Sequence, residues 1–314
     1  MPERIDSILA AIETGGLGPP IEPIDAGLET VRAVHDGGMI EYLATAYERQ
    51  ETEADVSTPV FPTFFPPPGQ RRRPGCFEGL KGFHCTNTGV PLDENTWKAA
   101  LASAHCAITG ARVLRSGEST VYALCRPPGH HAGHDFFGGY CYLNNAAIAA
   151  QVLRENGERV AILDTDYHHG NGTQAIFYAE PDVWVGSLHI DPETDYPFFA
   201  GYADEVGIGA GEGTNWNVPL PPGTGQDRYL SNLDTLLTRL VEFDPQRLVV
   251  SAGFDTYIAD PIGTFQLTTA GFNKVGRRIR TLNVPTLVVQ EGGYCVPDLG
   301  RNVAAFLKGL ADLG

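Results

Sequence analysis

The sequence predicts an α/β domain in which a mostly parallel central sheet carries helices on both faces. Short apolar runs rich in β-branched residues alternate with longer helical patterns from residue 94 onward. Such near-continuous apolar strands belong to sheets covered on both faces. The polar, chemistry-bearing residues gather at the carboxyl ends of those runs, where open parallel sheets bind their ligands.

Taken in chain order, the opening "MPERIDSILAAIETGG" carries acids and lacks the apolar core of a signal peptide. Residues 52–92 are irregular, because the prolines of "STPVFPTFFPPPGQRRRPG" forbid regular helix and central strand. Phe61, Phe64 and Phe65 predict that this loop is ordered and packed on the body. Strands are then predicted at 121–125, 159–166, 183–190, 247–255 and 285–293. Helical patterns between and around them cover 94–115, 144–156, 226–242, 268–282 and 298–311. There is no internal repeat and no low-complexity linker, so the chain reads as one domain.

The 314 residues, 42% hydrophobic and 19% charged, suffice for a sizeable core. No stretch approaches the roughly 18–20 apolar residues of a membrane span, so no membrane partner is expected and the cytoplasm is the expected location. The six cysteines form no C-x-x-C pair, which argues against a disulfide framework and a cysteine-rich zinc site. A net charge of −16 excludes a nucleic-acid partner, since a phosphate backbone needs a basic face. It suits a cationic partner, although solubility alone accounts for it equally well.

Five of the nine histidines lie between positions 130 and 169. In "LDTDYHHGNG" the D-x-H of Asp166 and His168 sits at a strand end, where period two places both side chains on one side. By itself that motif could equally cap the next helix; Asp255 in "SAGFDTYIADP" favours a facial metal set. Two oxygens and one nitrogen with a fourth position for water is a catalytic zinc arrangement, which lowers the pKa of bound water to about 7. His130 and His131 then read as a paired acid and base, with Asp164 and Asn171 as partners that fix their tautomers. His134, His169 and His189 read as structural hydrogen-bonding groups. Tyr294, after the flexible "EGG", could reach inward as an oxyanion donor.

At these residues the sequence resembles a known family. "RPPGHHAG", "GGYCYLNNAAIAA", "LDTDYHHGNGTQAIFY", "SLHID", "GFDTYIADP" and "EGGY" are similar to the successive signatures of the histone deacetylase superfamily, across roughly residues 2–312. "FFAGYADEVGIGAGEGTNWNVPLPPGT" and "QEGGYCVPDLGRNVAAFLKGL" most resemble the bacterial acetylpolyamine amidohydrolases. The resemblance implies an arginase/deacetylase-like fold, with 1–314 as a single metal-dependent deacetylase domain and 52–92 as a rim loop. It implies Zn²⁺ on Asp166, His168 and Asp255, with Fe²⁺ or Co²⁺ as alternatives, His131 as general base and acid, His130 as its electrostatic companion and Tyr294 as the carbonyl clamp. It also implies a tunnel lined by Gly139 and Tyr140 with Ile262 at its gate. A structural K⁺ would lie on the backbones of Asp164, Asp166, His168 and Leu188 and the Ser187 hydroxyl. Asn171 stands where some members have aspartate, which leaves His131 oriented but less electron-rich.

The arginase group, which shares the fold, needs D-x-H-x-D and D-x-D; here Gly170 and Tyr257 stand in place of two acids, so one metal is expected. The implied activity is deacetylation of small cationic acetylated amines. An acetyl-lysine protein deacetylase of the class II histone deacetylase kind and a non-catalytic acyl-amine binding protein are the alternatives. In "KGFHCTNTGVP", His84 stands where peptide-directed members have a substrate-gripping aspartate, which favours small amides; Arg71 to Arg73 are unassigned cations in the rim loop. Relatives of this type carry a further strand and loop before "PERIDSIL", and a homodimer is the assembly considered.

Overall fold

Six strands form one all-parallel sheet in the computed structural model, which describes residues 3–67, 69 and 71–312. In chain order these are β1 (Thr120–Ala123), β2 (Val160–Asp164), β3 (Val183–Ile190), β4 (Asn215–Leu220), β5 (Arg247–Ala252) and β6 (Thr286–Gln290). Their spatial order is β1-β6-β5-β2-β3-β4, so the four strand ends expected to carry the chemistry are consecutive neighbours. The helices are α1 (Glu3–Gly15), α2 (Glu29–Val34), α3 (Gly37–Ala54), α4 (Phe77–Leu80), α5 (Thr96–Arg115), α6 (Asn145–Leu153), α7 (Asn171–Phe177), α8 (Gln226–Phe243), α9 (Thr269–Arg280) and α10 (Val296–Ala311).

Alternation along β2 builds both faces. Val160 and Ile162 pack into a core shared with α2, α3, α5 and α6, whereas Ala161 and Leu163 pack into one shared with α1, α8, α9 and α10. Every residue of β2, β3 and β6 is buried, which explains their near-continuous apolar character. No helix among the described residues is long and apolar enough to cross a membrane.

The predicted α/β class stands, with three corrections. β2, β5 and β6 end at Asp164, Ala252 and Gln290, so Asp166, His168, Asp255 and Glu291 lie just beyond the strands. Strand β4 escaped the sequence reading because Pro219 and its polar residues break the apolar run; it is an edge strand, where proline is tolerated. Phe61, Phe64 and Phe65 are 50%, 66% and 44% exposed, so the proline-rich loop does not pack through them. That loop is instead pinned by Val60, buried and bridged to Leu92, while Pro68 and Gln70 lie outside the described residues.

Candidate active site

The D-x-H segment owes its shape to two carboxylates rather than to strand alternation. Asp164 Oδ1 accepts from the Asp166 amide at 3.0 Å, and Asp166 Oδ1 accepts from the His168 amide at 2.9 Å. These successive turns aim Asp166 and His168 at Asp255, which is fixed in turn by the Tyr167 amide donating to its Oδ1 at 2.9 Å. His168 Nδ1 lies 3.4 Å from Asp166 Oδ1 and 3.2 Å from Asp255 Oδ2. Asp255 Oδ2 is buried without a hydrogen-bond partner. Burial and the nearby Asp166 charge push Asp255 up to about 7. Two buried carboxylates and an imidazole converging within 4.8 Å, one oxygen unpartnered, form a donor set suited to a divalent cation. Gly292 leaves the necessary room, since a Cβ there would fall 2.4 Å from Asp255 Oδ2 and 2.6 Å from Asp166 Oδ2.

His130 and His131 are adjacent in sequence, with ring centroids 4.0 Å apart, yet face opposite surroundings. His130 Nδ1 lies 3.0 Å from Asp164 Oδ2 and its Nε2 lies 3.8 Å from Asp166 Oδ1. Burial opposes a charge on His130, but the Asp166 and Asp164 carboxylates outweigh it and raise its pKa to about 10. His131 Nδ1 donates to the Asn171 amide oxygen at 2.7 Å. An amide oxygen only accepts, so the proton sits on Nδ1 and the Nε2 lone pair stays free. Burial, followed by the charges of His130 and His168, holds His131 well below the usual imidazole range.

A cavity of about 390 Å³ opens above these groups. His130, His131, Asp166, His168 and Tyr294 reach it, as do Gly139, Tyr140 and Ile262. Gly139, at φ +55°, is where a Cβ would strike His131 Cδ2 at 2.3 Å, so its role is to admit the imidazole. The neighbouring Gly138 instead packs against Thr86. Tyr140 itself takes φ +66°, a conformation rare for a bulky side chain.

Several groups that hold this arrangement were given no role by the sequence: Glu291, though one of the polar residues at the strand ends, and Asp260, Arg4, Asn87 and Tyr196. Glu291, fully buried, accepts from the Gly129 and His130 amides at 2.7 and 3.2 Å and from Ser251 Oγ at 2.9 Å. Asp260 Oδ2 accepts from the Tyr294 amide at 2.6 Å, and its Oδ1 from the Ile262 amide at 3.1 Å, joining Ile262 to the tyrosine. Arg4 of α1 is buried, donates to the carbonyls of Gly293 (2.8 Å) and Glu291, and lies 5.2 Å from the Tyr294 ring centroid. Asn87 and Tyr196 line the cavity and are bonded to each other at 3.1 Å, with the Tyr196 ring edge-on to His131 at 4.8 Å. Glu291 and Asp260 fall within the "EGGY" and "GFDTYIADP" stretches, Arg4, Asn87 and Tyr196 have no local motif, and the bonds that tie these groups to the site mostly reach residues remote in sequence.

Other expectations are redirected. His84 does not line the cavity: it is buried, with Nδ1 2.7 Å from the Asp135 carbonyl. Arg71 pairs with Asp135 at 3.1 Å and Arg73 with Glu41 at 3.4 Å, all four side chains partly exposed. His134, His169 and His189 each bond to a protein group, His134 and His189 to backbone carbonyls and His169 to Gln174. Ser187 lies level with Asp164 across the β2–β3 ladder. His189 Nε2 donates to the Gly201 carbonyl at 2.9 Å, so Ser187 Oγ, 2.7 Å from Nδ1, must donate there and keeps its lone pairs. Among the described residues, no backbone amide donates to the Asp166 or His168 carbonyl.

Comparison with known proteins shows the family. The family described as "Histone deacetylase domain" matches residues 1–310. The chain is 45% identical to acetylpolyamine amidohydrolase 1 of Pseudomonas aeruginosa over 98% of its own length and 90% of that protein. It is also 45% identical to the acetylpolyamine amidohydrolase of Mycoplana ramosa, over 99% and 91% of the two chains. The crystal structure of an acetylpolyamine aminohydrolase from Burkholderia pseudomallei superposes with a TM-score of 0.95 at 42% identity, over 100% of this chain and 91% of that one.

Proposed function

The chain belongs to the histone deacetylase family and is a hydrolase, and from that premise we propose that it removes acetyl groups from small acetylated amines such as acetylpolyamines. The observation that carries the reading is the cavity itself. Its floor presents Asp166 and His168, backed by Asp255 to complete the donor set, beside His131, and its walls include Tyr140, Tyr196, Ile262 and Asn87, with no Lys or Arg among its lining residues. The relatives' names support the substrate class.

Asp166, His168 and Asp255 would hold one divalent ion, which we assign as Zn²⁺, with Fe²⁺ and Co²⁺ as ions the same donors accept. When bound, the ion supplies Lewis acidity towards an amide carbonyl and lowers the pKa of water. The free Nε2 of His131 takes a proton from the attacking water and delivers it to the amide nitrogen, so that amide and water become acetate and amine. Asn171 keeps the imidazole in the tautomer this needs. His130, tied to Asp164, places positive charge beside the site. The Tyr294 hydroxyl donates to the oxyanion that develops on the carbonyl, in an orientation held by Asp260 and Arg4. We further assign K⁺ to the Asp164, Asp166, His168 and Leu188 carbonyls and Ser187 Oγ, a reading supported by the free Ser187 lone pairs.

The test is a deacetylation assay of the Zn²⁺-loaded protein on N-acetylputrescine, N-acetylcadaverine and an acetyl-lysine peptide. The small amines are expected to lead in kcat/KM by a large factor. A lead for the peptide would make the chain a protein deacetylase instead.

A further inference from the structure

Beyond the reacting groups, the cavity holds one unassigned charge. Among its lining residues the carboxylates are Asp166, committed to the floor, and Asp195, on the loop that follows β3. We propose that Asp195 is the anchor for the ammonium end of the acetylated amine, an assignment that rests on the reading above and makes the terminal cation, not only chain width, the feature selected.

Asp195 is held ready for that contact. Its Oδ1 accepts from the Tyr196 amide at 2.8 Å and its Oδ2 from the Tyr167 hydroxyl at 3.1 Å. Each oxygen retains a lone pair for a further donor. Tyr167 also bonds Thr264 Oγ1 at 2.9 Å, so its hydroxyl accepts there while donating to Asp195. The remaining walls are uncharged, mostly aromatic or aliphatic (Tyr140, Tyr196, Ile262) with Asn87 the one amide, surfaces suited to a methylene chain and unable to neutralise its end.

The tether has a further consequence. Tyr167 stands between Asp166 and His168 in sequence, and its ring packs edge-on to His168 at 4.9 Å. The distance from the carboxylate to the scissile amide is therefore set by a buried phenol rather than by a free loop. That arrangement selects chain length as well as charge.

The experiment compares kcat/KM for N-acetylputrescine with that for N-pentylacetamide, the same chain ending in methyl. In wild type the cationic amide leads. Asp195→Asn is expected to cut the ratio of the two by about tenfold or more, the worth of a hydrogen bond to a charged group. Asp195→Glu, which keeps the charge on a longer side chain, is expected to retain the lead and move its optimum towards N-acetyl-1,3-diaminopropane. An unchanged ratio in Asp195→Asn overturns the proposal, as does an equal loss on both amides, which marks a structural role. Calorimetric binding of putrescine, which needs no turnover, separates the two readings. If wild type hydrolyses neither amide but binds putrescine through Asp195, the substrate reading falls and the anchor stands; putrescine binding unaffected by Asp195→Asn removes the anchor.

Discussion

The floor and the mouth of the cavity are built on different terms. Most floor groups are fixed by a hydrogen bond to a residue remote in the chain: Asp166 by the Gly292 amide, Asp255 by the Tyr167 amide, His131 by Asn171, and His130 by Asp164. The mouth is made of loops whose side chains meet solvent, with Tyr140 at 51% and Ile262 at 39% exposure. Chemistry needs fixed distances, so it occupies the strand ends of a close-packed sheet. The walls that bound the substrate chain are looser, Asp195 with its tether to Tyr167 being the fixed point among them. Floor substitutions should therefore abolish turnover, and mouth substitutions should shift KM.

The largest effect is expected from Asp255→Ala, which removes the unpartnered oxygen. Elemental analysis should show loss of the bound metal, and turnover should fall to background. A variant retaining both would remove Asp255 from the site. Next comes His131→Ala, with kcat lower by about 10²- to 10⁴-fold. Asn171→Ala should cost less, about 10- to 100-fold, because it releases the tautomer without deleting the base. Equal losses in the two variants would place the essential function on the hydrogen bond itself.

Tyr294→Phe should lower kcat about 10²- to 10³-fold with KM little changed, as expected for a donor used only in the transition state. Arg4→Ala leaves the Gly293 and Glu291 carbonyls without their buried donor, at a cost of about 1–3 kcal/mol seen as a lower Tm. Its kcat should remain above that of Tyr294→Phe. The smallest effect belongs to the mouth. Tyr196→Phe removes a partly exposed bond to Asn87 and should raise KM by about 2- to 10-fold with kcat retained. A collapse of kcat in that variant would erase the distinction between floor and mouth.

The same division decides what could be read from the sequence. The floor ligands belong to short motifs at the ends of apolar runs, so Asp166, His168, Asp255 and the histidine pair stood out. What supports them did not. Glu291 bonds to Gly129 and Arg4 to Gly293, contacts between residues far apart in the chain; Arg4 has no local motif, and "EGGY" does not announce the role of Glu291. Strand β4 was hidden by Pro219, which an edge position permits. α1 and α3 lie in the first fifty-four residues, where charged and polar residues interrupt the apolar stripe of each helix. Asp195 and Tyr196 reach the cavity only because their loop folds back over the strand ends.

The central claim is that a single metal on Asp166, His168 and Asp255 drives amide hydrolysis at this floor. It is tested most directly by titrating Zn²⁺ into the metal-free protein while following acetate release from N-acetylputrescine. Activity is predicted to start from none, rise linearly, and stop at one equivalent per chain. Hydrolysis by the metal-free protein, or a rise that continues to two equivalents, would contradict it.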